Sequence, residues 1–216
     1  MADESVEVEE PSTRQRILAE ASALFAQRGY HGTSTREIAG AVGIQQPSLF
    51  HHFDSKEAIM SDLIDFALDE PLAVAEREAA AVGSPALRLF RYLAWDVEYL
   101  CRSPYHLPPV HLMLSDPVFA VAIERYGRLV EARESLIREA IEVGEFIDVD
   151  PSFAQHAIVW MIGGTVAEAD ELTAAEARET ADRLASFAVR AMLRSPEDLD
   201  SIRAAAGLAE YDSPMM

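Results

Sequence analysis

Residues 34–57 read STREIAGAVGIQQPSLFHHFDSKE, and this stretch decides the fold. Ser34 and Glu37 stand in S-x-x-E spacing, the reciprocal arrangement that satisfies the free N–H groups opening a helix. Ile38 and Val42 lie four residues apart and face one way. Gly43 stops the helix where a left-handed residue is wanted. Pro47 follows, tolerated in the first turn of a new helix, and Leu49 and Phe53 continue the apolar pattern. Ala39 is small where two helices cross. Two short helices joined by a glycine turn make a helix-turn-helix, with Ile38, Val42, Ile44 and Leu49 as its core.

Upstream, Ile17, Ala21, Leu24 and Phe25 form one face of a helix predicted over residues 13–28, closed by Gly29. A short loop, Tyr30 to Thr33, follows. Downstream, Ser55 is an N-cap for a fourth helix carrying Ile59, Met60, Leu63, Ile64 and Ala67, expected to end before Pro71. Further helices are predicted from Ser84-Pro85 to Cys101, from about Pro117 to Val143, from Asp150-Pro151 to about Asp170, and from Thr173, which pairs with Glu176 in a second capping box, to about Arg194. A weaker patch covers 198–206. No stretch alternates with the two-residue period of a strand, so the fold class is all-α.

Charge is unevenly distributed. The chain of 216 residues has a formal charge of −19. Residues 1–12 carry five acids and no base, whereas 13–57 carry five bases against four acids. The sole lysine, Lys56, falls in that segment. The acidic leader, 1–11, reads as a disordered tail. It has the wrong composition for a signal peptide, and no apolar run reaches the roughly 18 residues of a membrane span. One cysteine, Cys101, permits no internal disulfide and no cysteine-based zinc site, and fits a reducing cytoplasm.

These motifs together resemble the DNA-binding domain of the TetR family of bacterial transcriptional regulators. The resemblance rests on R-x-x-I-L at Arg14 to Leu18, Gly29-Tyr30, Ile38-Ala39, L-F-x-H-F at Leu49 to Phe53, and S-K-E at Ser55 to Glu57. It covers about a third of the chain. It implies an N-terminal three-helix helix-turn-helix domain over residues 12–72 and a C-terminal helical ligand-binding and dimerisation domain over 73–216. The implied protein is a non-enzymatic regulator, a repressor that a small-molecule effector releases from its double-stranded operator.

The third helix would enter the major groove, where base edges are distinguishable. Gln45, Gln46, Pro47, Ser48 and His51 lie at its start and outer face. Thr33, Ser34, Thr35, Arg36, His52 and Lys56 are placed to meet the sugar–phosphate backbone. Lys56 as a solvated first-turn residue is the plainer alternative. Three positions depart from the family: Phe50 replaces a tyrosine whose hydroxyl meets phosphate, Gln45 a small hydroxyl residue, and Pro47 a glycine or alanine. They bear on operator sequence and affinity.

The resemblance further implies a homodimer, through a four-helix bundle built from Ile158, Met161, Ile162 and Thr165 on one helix and Leu184, Phe187, Ala188, Ala191 and Met192 on the next. The alternative is that these stripes face the chain's own core. Gly163-Gly164 inside a helix invites close packing. An effector pocket would draw on Trp95, Tyr99, Met113, Phe119, Tyr126 and Trp160, with Arg91 and His156 as polar groups. Each aromatic alone is better read as core. No cofactor or metal is expected: no histidine follows a glutamate by three residues, as a di-iron bundle needs, and no H-E-x-x-H or P-loop occurs. The rival reading is a helical ligand-binding or protein-interaction module with a vestigial helix-turn-helix.

Overall fold

The computed structural model describes residues 11–105, 120–169 and 172–207. Its described elements are helical, apart from one isolated bridge between Phe146 and Leu193. In chain order the helices are α1 (Thr13–Arg28), α2 (Thr35–Val42), α3 (Gln46–Phe50), α4 (Lys56–Ala80), α5 (Pro85–Cys101), α6 (Ala120–Glu142), α7 (Pro151–Ala167), α8 (Ala174–Met192) and α9 (Leu199–Ala206). The described residues fall into two compact units. One holds 11–65 with 104–105; the other holds 66–103, 120–169 and 172–207.

In the first unit each helix begins or ends as its sequence dictates. Ser12 and Gln15 form a reciprocal box at the start of α1, and Ser34 and Glu37 do so at α2. At Gly43, φ is 78°. There the Ile44 N–H reaches back to Ala39 O at 2.9 Å and the Gly43 N–H to Gly40 O at 3.1 Å, the paired bonds of a glycine-terminated helix. Ile17, Ile38, Leu49 and Ile59 are fully buried, one from each of the four helices. They make the small core on which the helix-turn-helix rests.

One boundary differs from expectation. Helix α4 does not stop before Pro71 but runs through it to Ala80. An internal proline forfeits one backbone bond and costs about 3 kcal/mol. Leu68, Leu72, Val74 and Ala75 are all buried around it. Their burial, at about 25 cal/mol per Å² of apolar surface, offsets that cost.

The second unit is organised on α5. Ser84 caps it by accepting from the Leu87 N–H, and thirteen of its seventeen residues are buried. A helix buried nearly all round belongs at the centre of a bundle. Accordingly α5 packs against α6, α7, α8 and α9. Asp150 caps α7 and the Thr173–Glu176 box opens α8, as the spacing predicts. Past α8, Ile147 N–H donates to Met192 O and Arg194 N–H to Glu145 O, both at 2.8 Å, which pins the chain back on the loop before α7. Among the described residues no helix is long and apolar enough to cross a membrane.

Candidate nucleic-acid interface

Helix α3 is short, and its sides differ sharply. Leu49 is fully buried, while Gln45, Pro47, Ser48, Phe50, His51 and His52 are exposed. Gln45 is the N-cap residue but makes no side-chain cap bond, so its amide is unspent. Gln46 behaves differently. Its Nε2 donates to Thr35 Oγ1 at 3.0 Å, tying α3 to the first turn of α2. That bond joins the two helices, and both residues are half-buried.

The Tyr30–Thr33 turn is held from within. Thr33 is buried, and its hydroxyl donates toward Gly29 O at 3.0 Å and Leu24 O at 3.3 Å. A Cβ on Gly32 would come 2.3 Å from the Arg28 carbonyl oxygen, so the turn accepts only glycine there. Lys56 closes the assembly. Its Nζ donates to Tyr30 O at 2.8 Å and Thr33 O at 2.9 Å, and lies 4.1 Å from the centre of the Tyr30 ring. The expected outward role of Thr33 is therefore corrected. Thr33 has no exposed hydroxyl, and Lys56 spends two of its three N–H groups on carbonyls.

Arg36 is exposed. Ser34 is exposed too, but its oxygen accepts from the Glu37 N–H and its hydroxyl donates to Glu37 Oε2. Those bonds, the Ser34 hydroxyl first and its N–H second, hold the Glu37 carboxyl below the usual range. Glu57 is lowered likewise, by its own backbone N–H and then the Ser55 hydroxyl. Both acids are anions that stabilise helix N-termini.

The packing roles of some residues of this unit escaped the sequence reading. Tyr30 is the hub beneath Lys56 and stacks obliquely on Phe25, ring centres 5.4 Å apart. Arg16 donates to the Val42 carbonyl at 2.6 Å, satisfying the end of α2. Arg14 pairs with Asp62 and lies over the Phe53 ring. Tyr30 sits in a loop, where no periodicity marks it. The arginines look like surface charge until the partner helices are in place.

In the second unit the expected pocket does not assemble as a set. Trp95 and Tyr99 are buried and stacked at 4.9 Å, with Phe66 stacked on Tyr99 at 5.2 Å. Arg91 is spent on Glu78, to which it donates twice. Tyr126 is half-buried. His156 is exposed, its Nδ1 paired with Ser152 O at 2.6 Å. Trp160 is 61% exposed and cannot line an interior pocket. Met113 and Phe119 lie outside the described residues. Cys101 is a buried thiol whose pKa burial pushes up.

The dimer stripes are divided as well. Ile158, Ile162, Leu184, Ala188 and Met192 are buried within the chain, so their side chains face its own core and not a partner. The α-helical period places their neighbours outward: Ala191 and Phe187 are exposed, Phe187 at 65%, and Met161 and Thr165 are half-exposed. Phe153, at 69% exposed, joins Phe187 and Trp160 as a large outward aromatic on α7 and α8. A Cβ on Gly164 would meet nothing within 4 Å, so packing inside the chain does not demand that glycine.

The capped helix-turn-helix, its exposed recognition helix and the helical second unit define a DNA-binding transcriptional regulator. The comparisons agree. The family model for bacterial regulatory proteins of the tetR family matches residues 17–63. The HTH-type transcriptional repressor KstR2 of Rhodococcus jostii (strain RHA1) is 32% identical over 149 residues, covering 65% of this chain and 72% of that protein. AmtR of Mycobacterium smegmatis superposes with a TM-score of 0.68 at 26% identity, over 92% of this chain and 96% of that one. PfmR of Thermus thermophilus, a TetR family transcriptional regulator, does so at 0.65 and 28% identity, over 86% and 100%. This chain belongs to the TetR family.

Proposed function

We propose that the chain represses transcription by holding operator DNA as a homodimer, and that a small-molecule effector releases it. The observation that carries this reading is the two-sidedness of α3. Leu49 anchors it while Gln45, Pro47, Ser48 and His51 stand exposed at its N-terminal and outer face. Major-groove edges offer partners to these residues: Gln45 an adenine, Ser48 several bases, Pro47 a thymine methyl. Arg36, Ser34 and His52 are the backbone contacts, which fix register. Lys56 and Thr33 act indirectly, by fixing the turn before α2. Two recognition helices on one duplex require two chains, and half-sites one helical repeat apart.

Repression is favoured by the name of the R. jostii relative, a transcriptional repressor. Release follows if an effector favours a conformation that binds DNA less well, a coupling of typically 1–3 kcal/mol. The rival, an interaction module with a vestigial helix-turn-helix, gains no support from a motif whose α2 caps and core are intact. A gel-shift titration with the DNA upstream of the chain's own gene tests the proposal. One salt-sensitive site, blocking a reconstituted promoter, is expected; absence of any shift at low salt would overturn it.

A further inference from the structure

The core of the second unit contains polar side chains that its own fold leaves unsatisfied. On α5, Tyr92 and Asp96 stand one turn apart on the same face, 0% and 3% exposed. Arg133 on α6 is 4% exposed and places its guanidinium 5.9 Å from the centre of the Tyr92 ring. Gln155 on α7 is 0% exposed, and lies on the buried stripe of a helix that packs against α6 and α5. Among the described residues, Arg133 Nε and both amide atoms of Gln155 have no hydrogen-bond partner. Tyr92 Oη makes no well-formed hydrogen bond either, though it stands near enough to Asp96 to favour that carboxylate. A buried group left unsatisfied costs the fold stability. A purely structural core would replace them with apolar residues.

We infer that Tyr92, Asp96, Arg133 and Gln155 are the polar anchor of an effector site in this unit, and that the effector is an uncharged, largely apolar molecule presenting a carbonyl or hydroxyl oxygen. The inference deepens the repressor reading and rests on it for the word effector. Its chemistry follows from unspent capacity. Arg133 Nε, Tyr92 Oη and Gln155 Nε2 donate, and Gln155 Oε1 is the one dedicated acceptor among these unspent atoms, so a ligand oxygen is the matching group. Burial pushes the Asp96 pKa up, and the Arg133 guanidinium pulls the other way. A ligand carboxylate would bring a further anion into an interior that already disfavours the charge on Asp96. The same helices bury Leu89, Leu93, Leu129, Leu136, Ile137 and Ile158. Few polar groups in an apolar surround is the usual make-up of a small-molecule site.

The test uses the full chain and three probes that share a carbon skeleton: 2-octanone, 1-octanol and octanoate. Titration calorimetry is expected to show one saturable site per chain for the ketone and the alcohol. Octanoate should bind at least tenfold more weakly. Gln155→Leu should lose at least tenfold in ketone affinity and yet melt at a higher temperature than the parent, because an orphaned amide is gone. No probe binding, octanoate binding as tightly as octanone, or a lowered melting temperature for Gln155→Leu would overturn the inference. A gel shift on the upstream DNA separates the two readings. If the chain shifts DNA but ignores the probes, only the site fails. If the probes bind as expected but the chain never shifts DNA, the repressor reading fails and the site stands.

Discussion

The Lys56 ammonium donates to the Tyr30 carbonyl at 2.8 Å while resting 4.1 Å from the centre of the same residue's ring. One side chain thus fastens the start of α4 to the turn that launches α2. Lys56→Met removes two charge-assisted bonds and the ring contact. It should destabilise the chain by about 1–3 kcal/mol, measured by urea unfolding. A clamp and a phosphate contact also leave different marks on DNA binding. Loss of a phosphate contact lowers the slope of log K against log salt by about one. For Lys56→Met the expected result is weaker binding with the slope unchanged.

Glu37 supplies the pH prediction. Its folded carboxyl titrates below the usual range, chiefly because the Ser34 hydroxyl and then the Ser34 N–H bind the anion. A lowered folded pKa gives stability that is present above the unfolded pKa and lost as pH falls through the folded one. The chain should therefore lose stability on acidification below about pH 4.3, the ordinary glutamate value. Glu37→Gln should flatten that loss, as read from melting temperatures between neutrality and about pH 3. Ser34→Ala, which removes the cap itself, should cost about 1 kcal/mol at neutral pH.

Phe50 is 43% exposed on α3, beside His51 and His52. A hydroxyl there would stand toward the DNA backbone in the proposed complex. Phe50→Tyr should tighten operator binding several-fold, the equivalent of about 1 kcal/mol for one added hydrogen bond. Fluorescence anisotropy at fixed salt would measure it. Unchanged affinity would place Phe50 away from the phosphates.

Phe187 and Leu184 lie three residues apart on α8, the first exposed and the second buried. Leu184→Ala should destabilise the chain itself by about 2–5 kcal/mol, as core truncations do. Phe187→Glu should leave the fold of the chain intact and shift sedimentation toward monomer. An unaltered association state in Phe187→Glu would remove that face from the interface.

How much of this was legible in the sequence depended on locality. The caps at Ser34, Ser84, Asp150 and Thr173 were readable because a cap is set by residues two or three apart. The Gly43 turn and the buried Leu49 were readable for the same reason. Pro71 misled because local propensity argues for a break, while the buried residues that override it are nonlocal. The residues expected as single stripes on α7 and α8 divide between core and surface, because periodicity does not say what a stripe faces. Thr33 and Lys56 looked outward by composition. Only the folded turn shows their bonds running inward to carbonyls of residues 24, 29, 30 and 33. Tyr92, Asp96, Arg133 and Gln155 come from three helices, and no spacing links them.

The most direct test of DNA recognition through α3 is equilibrium titration of the purified chain against its own upstream DNA over a series of salt concentrations. Two chains should occupy one site, with log K falling linearly against log salt as phosphate contacts release counterions, and Gln45→Ala and Ser48→Ala should lose sequence preference. Failure to bind any such fragment at low salt, or binding equally tight to unrelated duplexes in the parent and both variants, would contradict it.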